Sequence, residues 1–134
     1  MLSSVPESDT VIVADLEAGI GTLTRLPKAS VQSTLVIVEP TPRSIDVGQR
    51  AVLVATERNQ GHITIVANKV ANEEDAARVR DAFAGHDVVC VPNDRVMIAA
   101  DRQGASPIDI DSDAPAVKAI AKIATQVLVK QPNR

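Results

Sequence analysis

Four places along the chain carry residue types that could do chemistry together. The first is Asp15-Leu16-Glu17-Ala18-Gly19, an aspartate at the end of an apolar, β-branched run with a glycine four residues on. Phosphate chemistry uses such a pair to hold a magnesium-bound water on the carboxylate and to sense a γ-phosphate with the glycine N–H. Aspartate at a strand end and glycine in the next turn are also ordinary loop residues. The second place is Ala67-Asn68-Lys69-Val70. The Asn68 amide offers a donor and an acceptor that could read a purine edge with Lys69 along the pocket wall, but asparagine is equally at home in a left-handed turn. The third is Val91-Pro92-Asn93-Asp94, where Pro92 either presents a rigid backbone or marks a turn. The fourth is Glu39-Pro40-Thr41-Pro42-Arg43-Ser44, in which two prolines fix an extended path and Ser44 suits a helix cap. Glu39 has no paired acid or base nearby and reads as a solvated carboxylate.

Each place follows a short run rich in β-branched residues: Thr10 to Ala14, Thr34 to Val38, His62 to Ala67 and Asp87 to Val91. The runs are continuous rather than alternating, which predicts strands of a parallel sheet covered on both faces. Helical spacing fills the intervals. Ser44 to Asn59 puts Ile45, Gly48, Val52 and Ala55 on one face, and Gly61 stops it. Asn72 to Ala84 has Asn72 as its N-cap, turns Ala76, Val79 and Phe83 inward, and closes at Gly85. In the last helix, which starts at Asp113 and Pro115, Val117, Ile120, Ala121, Ala124, Val127 and Leu128 form one apolar stripe, with Lys118, Lys122 and Lys130 on the wet side. Alternating strand and helix predicts an α/β fold with a mostly parallel sheet of about four strands, and in such sheets ligands sit beyond the carboxyl ends of the strands.

Composition narrows the function classes. The 134 residues are 45% hydrophobic and 23% charged, with a formal net charge of -3. A chain of this size buries roughly two thirds of its unfolded surface and needs no disulfide or structural metal. Cys90 is the only cysteine, so there is no disulfide framework, and its apolar strand makes it a core thiol. No apolar run reaches the ~18 residues of a membrane-spanning helix, and Met1 to Thr10 lacks the regions of a signal peptide, so the expected location is cytoplasmic. With Phe83 the sole aromatic and an acidic balance, no base-stacking or basic surface exists for sequence-specific nucleic-acid binding. Asp109-Ile110-Asp111-Ser112-Asp113 starts like a calcium loop but has Ala114 and Ile120 where that loop needs glycine and glutamate. His62, His86 and Cys90 lack metal-ligand spacing. Arg43, Arg50 and Arg58 fall near one helical face, which reads as solvated.

Taken in order and spacing, Asp15 to Gly19 with Arg25, Val36 to Ser44, Ala67 to Val70 and Val91 to Asp94 resemble the back half of the MinD/ParA class of deviant P-loop ATPases. Within it the likeness is nearest to CooC, the ATPases that assist nickel insertion into carbon monoxide dehydrogenase. The resemblance runs from Val11 to about Leu128 and includes Ala100, Asp101 and Gly104. It implies a partial three-layer P-loop NTPase fold over 9–130, with 131–134 a tail of a single α/β domain, 1–134. It implies that Asp15 orients magnesium through water and that Gly19 touches the γ-phosphate. Asn68 would read adenine beside Lys69, with Pro92 and Asn93 forming the backbone wall of the base pocket.

The same resemblance calls for a glycine-rich phosphate loop ending in Gly-Lys-Ser/Thr. None of the five lysines, Lys28, Lys69, Lys118, Lys122 and Lys130, follows a glycine. The expectation is therefore a truncated or split ATP-binding switch domain, inactive alone, that takes magnesium and ATP only when a phosphate-loop partner is supplied. Metallocentre assembly is one role for such a switch. The alternative is a non-catalytic dimerisation or scaffold domain. The sheet is expected to have a gap between the Asp15 strand and the Asn68 strand, filled by a second copy or by a partner carrying the phosphate loop.

Overall fold

Three of the four β-branched runs pair into one sheet. The structure, a computed structural model, describes residues 11–16 and 20–129. In chain order it contains α1 (Ile20–Arg25), β1 (Ser33–Val38), α2 (Pro42–Glu57), β2 (His62–Val70), α3 (Glu73–Ala82), β3 (Asp87–Pro92), α4 (Arg95–Gln103), α5 (Pro107–Ile110) and α6 (Pro115–Val129). The strands are parallel in the order β1-β2-β3, with Ser33 opposite His62, Val38 opposite Ala67, and Thr64 opposite Asp87.

Helices on both faces of β2 explain why Thr64 to Ala67 are all buried. Ile65 and Ala67 join Val36 and Val38 beneath Val52 of α2 and Val79 and Phe83 next to and within α3. Val66 joins Val89 and Val91 against Ala116 and Ile123 of α6. The α2 layer sits close because Gly48 has no side chain. A Cβ there would overlap Cγ1 of Val38 and stand 3.0 Å from Cζ of Phe83.

The sheet differs from expectation in three ways, all along β1. Residues 11–16 form no strand and are exposed, Val13 being 88% accessible. A lone extended segment with no ladder partner gains too little to hold as a strand. Thr10 lies outside the described residues. The gap does not adjoin β2, which is paired on both edges; the open edge is the outer one of β1. β1 is also covered on one face only, so burial alternates, and Leu35 and Ile37 are exposed opposite buried Val36 and Val38.

The apolar stripe of α6 is rotated from the expected one. Ala116, Val117 and Ile123 are buried and Val127 packs beside them, while Ile120 and Leu128 are exposed. The helix packs on β3 and does not reach the uncovered face of β1. Among the described residues, no helix is long and apolar enough to cross a membrane.

One buried polar side chain ties the front of the sheet together. Gln60, fully buried between α2 and β2, accepts from the N–H of Ser30 at 3.1 Å and its hydroxyl at 2.9 Å, and donates to the Pro27 carbonyl at 2.6 Å. Its own carbonyl accepts from the Thr34 hydroxyl at 2.7 Å. Gly61 follows with φ of +65°, where a Cβ would overlap the Gln32 carbonyl. Replacing Gln60 with leucine leaves the Pro27 carbonyl and the Ser30 donors without their partner. Gln60→Leu is therefore expected to lose about 2–3 kcal/mol of stability, read from urea unfolding. An unchanged midpoint would show that the clamp contributes nothing.

Candidate functional site

The carboxyl ends of the three strands converge on one edge, and each is followed by a helix whose first turn is capped from the connecting loop. After β1, Thr41 Oγ1 accepts from the N–H of Ser44, and Ser44 Oγ in turn accepts from the N–H of Glu39 at 2.9 Å. After β2, Asn72 caps α3 by accepting from the N–H of Asp75. After β3, Asp94 caps α4 by accepting from the N–H of Val96 at 2.9 Å. These residues are good caps because a short polar side chain satisfies an otherwise orphaned helical N–H.

At the end of β2 the ladder is irregular. Ala67 pairs with Cys90 and Val70 with Pro92, so three steps along β2 match two along β3. The extra residue makes a β-bulge, a device that re-aims side chains at strand ends. Within it Lys69 takes the left-handed conformation, φ +56°. Its Nζ donates to Glu39 Oε1 at 2.6 Å, which makes Glu39 a bridge between the tips of β1 and β2 rather than a solvated carboxylate. Asn68 is half-buried, and its side chain has no hydrogen-bond partner among the described residues. The N–H of Asn93 donates to the Val70 carbonyl at 2.9 Å, fastening the Pro92-Asn93 turn beside the bulge. Asn68, Lys69, Pro92 and Asn93 thus occupy one continuous patch.

Asp15 stands apart from this patch, beyond the outer edge of β1. With Leu16 and Ile20 it lines a groove of about 660 Å³ whose other wall is Thr34 to Ile37 of β1 and the first turns of α2, including Arg43 and Ser44. The groove is mostly apolar along β1, acquires Thr41, Arg43 and Ser44 toward the strand's carboxyl end, and has Asp15 in its lining. Gly19 lies outside the described residues. Arg25 ends α1, which packs on α2. His62 pairs with Asp87 at 2.9 Å at the amino ends of the strands, away from this edge.

Sequence reasoning missed the Glu39–Lys69 pair and the double role of Asp94. An ion pair between strand tips leaves no local pattern. For Asp94 a signal existed: an aspartate just before Arg95 and the apolar Val96-Met97-Ile98 is an N-cap pattern. Arg43, placed on a solvated face from its spacing, lines the groove wall.

No protein-family model matches the chain. An uncharacterized ATP-binding protein of Methanocaldococcus jannaschii is 32% identical over 124 residues, which are 90% of this chain and 47% of that protein. Among solved structures, the MinD cell division protein of Aquifex aeolicus superposes with a TM-score of 0.61 at 19% identity, over 75% of this chain and 45% of its own. The fold is therefore the α/β fold of a MinD-type NTPase, and the chain spans about half the length of each protein it matches. Together the two likenesses support a relationship to P-loop ATPases of the MinD/ParA kind.

Asp94 holds this edge in place from a second side: its other oxygen accepts from the N–H of Ala116, in the first turn of α6, at 3.1 Å. The hydrogen bonds from Val96 and Ala116 hold its carboxyl below the ordinary aspartate range, outweighing the opposing effect of burial. A carboxyl so lowered contributes stability that is fully present above about pH 4 and is lost as pH falls through its lower native value. Asp94→Asn is expected to melt at a lower temperature than the wild type at pH 7, with the difference narrowing below pH 4. Equal melting temperatures at pH 7 would show that the carboxylate does not carry this role.

Proposed function

We propose that this chain is an ATP-binding switch domain of the MinD/ParA type that works with a phosphate-loop half to complete its nucleotide site. The observation that carries the reading is the groove beside Asp15. It runs along an unpaired parallel strand edge, it has apolar walls that a strand and its helix would cover, and it opens at the carboxyl edge where ligands bind in such sheets. The 32% identity to an ATP-binding protein about twice as long supports the same reading.

The residues fit nucleotide and magnesium in their chemistry. Asp15 is an exposed carboxylate in the groove with no ion pair among the described residues, suited to hold a magnesium-bound water. Magnesium, when bound, would offset the charge of the phosphates. Gly19 is assigned to the γ-phosphate through its N–H. Asn68 has an amide left free by the bulge, able to donate to and accept from the adenine edge. Pro92 and Asn93 wall the base with backbone held by the Val70 carbonyl, and Lys69 flanks it. No lysine follows a glycine in these 134 residues to give a phosphate loop of that type, so ATP turnover by the chain alone is not part of the proposal. The resemblance to CooC ATPases makes metallocentre assembly the client process proposed for it. The partner at the groove is a phosphate-loop polypeptide, a second copy being the alternative occupant. A cytoplasmic location, where ATP is held, goes with this reading.

Calorimetry tests this. The chain alone is expected to give no heat with magnesium and ATP at micromolar concentration, and to bind both there once a phosphate-loop half ending in Gly-Lys-Ser/Thr is added. In that complex Asn68→Ala is expected to weaken ATP about tenfold, the worth of a bidentate amide–base contact, and Asp15→Ala to abolish the magnesium dependence. No heat in either arm would sink the proposal in favour of a scaffold domain.

A further inference from the structure

Lys69 is one of three non-glycine residues with positive φ among the described residues, and it is the one at the candidate base pocket. A left-handed lysine is disfavoured by contact between its Cβ and its own backbone, and such residues persist where their surroundings over-determine them. The surroundings supply two restraints. The ladder resumes immediately after it, at Val70 opposite Pro92. On the other side, the ammonium is held by Glu39 at 2.6 Å.

Glu39 is itself fixed at both ends of its residue. Its N–H donates to Ser44 Oγ at 2.9 Å, its carbonyl accepts from the N–H of Thr41 at 2.8 Å, and the next carbonyl, of Pro40, accepts from Arg78 at 3.1 Å. A carboxylate on backbone this well anchored is a fixed post, whereas Lys69 is a long side chain on strained backbone.

We infer that Glu39 is a positioning residue: it holds the Lys69 ammonium and thereby the bulge that presents the Asn68 amide, and it links that bulge to Ser44 on the groove wall. The inference rests on the base-reading role proposed for Asn68. Its chemistry is distinct, because Glu39 touches no nucleotide and acts only through Lys69. Both partners are largely exposed, at 61% and 45%, so the effect is modest and weakens with salt.

The test uses amide spectra of the full chain. Glu39→Gln is expected to shift the Lys69 backbone amide and the Asn68 side-chain amide while leaving the melting temperature nearly unchanged, and the charge swap Glu39→Lys with Lys69→Glu is expected to return them toward their original positions. Adenosine added at millimolar concentration is expected to move the Asn68 side-chain amide, with affinity reduced about two- to fivefold in Glu39→Gln. Unmoved Asn68 and Lys69 signals in Glu39→Gln, or no recovery in the swap, would overturn the positioning role. If adenosine leaves Asn68 unmoved in the wild type, the base-reading role falls instead, and the spectra of the free protein still decide whether Glu39 positions the bulge.

Discussion

A parallel strand makes hydrogen bonds to both sides, and among the described residues β1 has a partner on one side only. About half of the N–H and C=O groups of Ser33–Val38 therefore point outward, along the groove, instead of into a ladder. The rest of the front of the molecule is likewise open. Residues 11–16 form no strand and are exposed, Leu35 and Ile37 remain exposed, and α1 packs chiefly on α2. β1 also carries no charge, proline or bulge, the usual means by which a sheet edge is kept from pairing. An edge so unguarded has the character of an interior strand.

The back of the molecule is built in the opposite manner. β2 is paired on both edges and covered on both faces, and the loops beyond the strand tips are pinned by Thr41, Asn72 and Asp94, each of which starts a helix. The patch of Asn68, Lys69, Pro92 and Asn93 is consequently preorganised by backbone and caps, while Asp15 sits on a segment with no ladder. One half of the candidate site is thus framed by the sheet and its helix caps, and Asp15 lies along the open edge.

Much of this was legible in the sequence. β1, β2, β3, α2 and α3 follow from β-branched runs, helical spacing and the Asn72 cap, because each is specified by its own residues and a covering layer that the chain supplies. The first run, Val11 to Ala14, has equally good strand composition and fails as a strand because pairing is not a local property. The α6 stripe was misplaced because Ile120 and Leu128 have core-like residue types, while the face that meets β3 is the one carrying Ala116, Ile123 and Val127. The patch of Asn68, Lys69, Pro92 and Asn93 could be named in advance since strand tips share an edge, whereas the Glu39–Lys69 bridge needed the register of two strands and a bulge. Asp15 was placed at a strand tip and stands beside a groove instead.

The single extra residue in β2 also sets the phase of everything beyond it. Up to Ala67 the odd positions, Ile63, Ile65 and Ala67, face the α2 and α3 layer, and Val66 faces α6. Had the alternation continued, position 69 would have pointed a lysine into that apolar layer and Val70 would have turned away. The insertion reverses the count, so Val70 packs with Val79 and Phe83's cluster while Lys69 is released to solvent. The irregularity thus lets one strand end in hydrophobic cover and a charged rim within consecutive residues, and deleting one residue between Ala67 and Val70 would restore plain alternation with Val70 still turned inward.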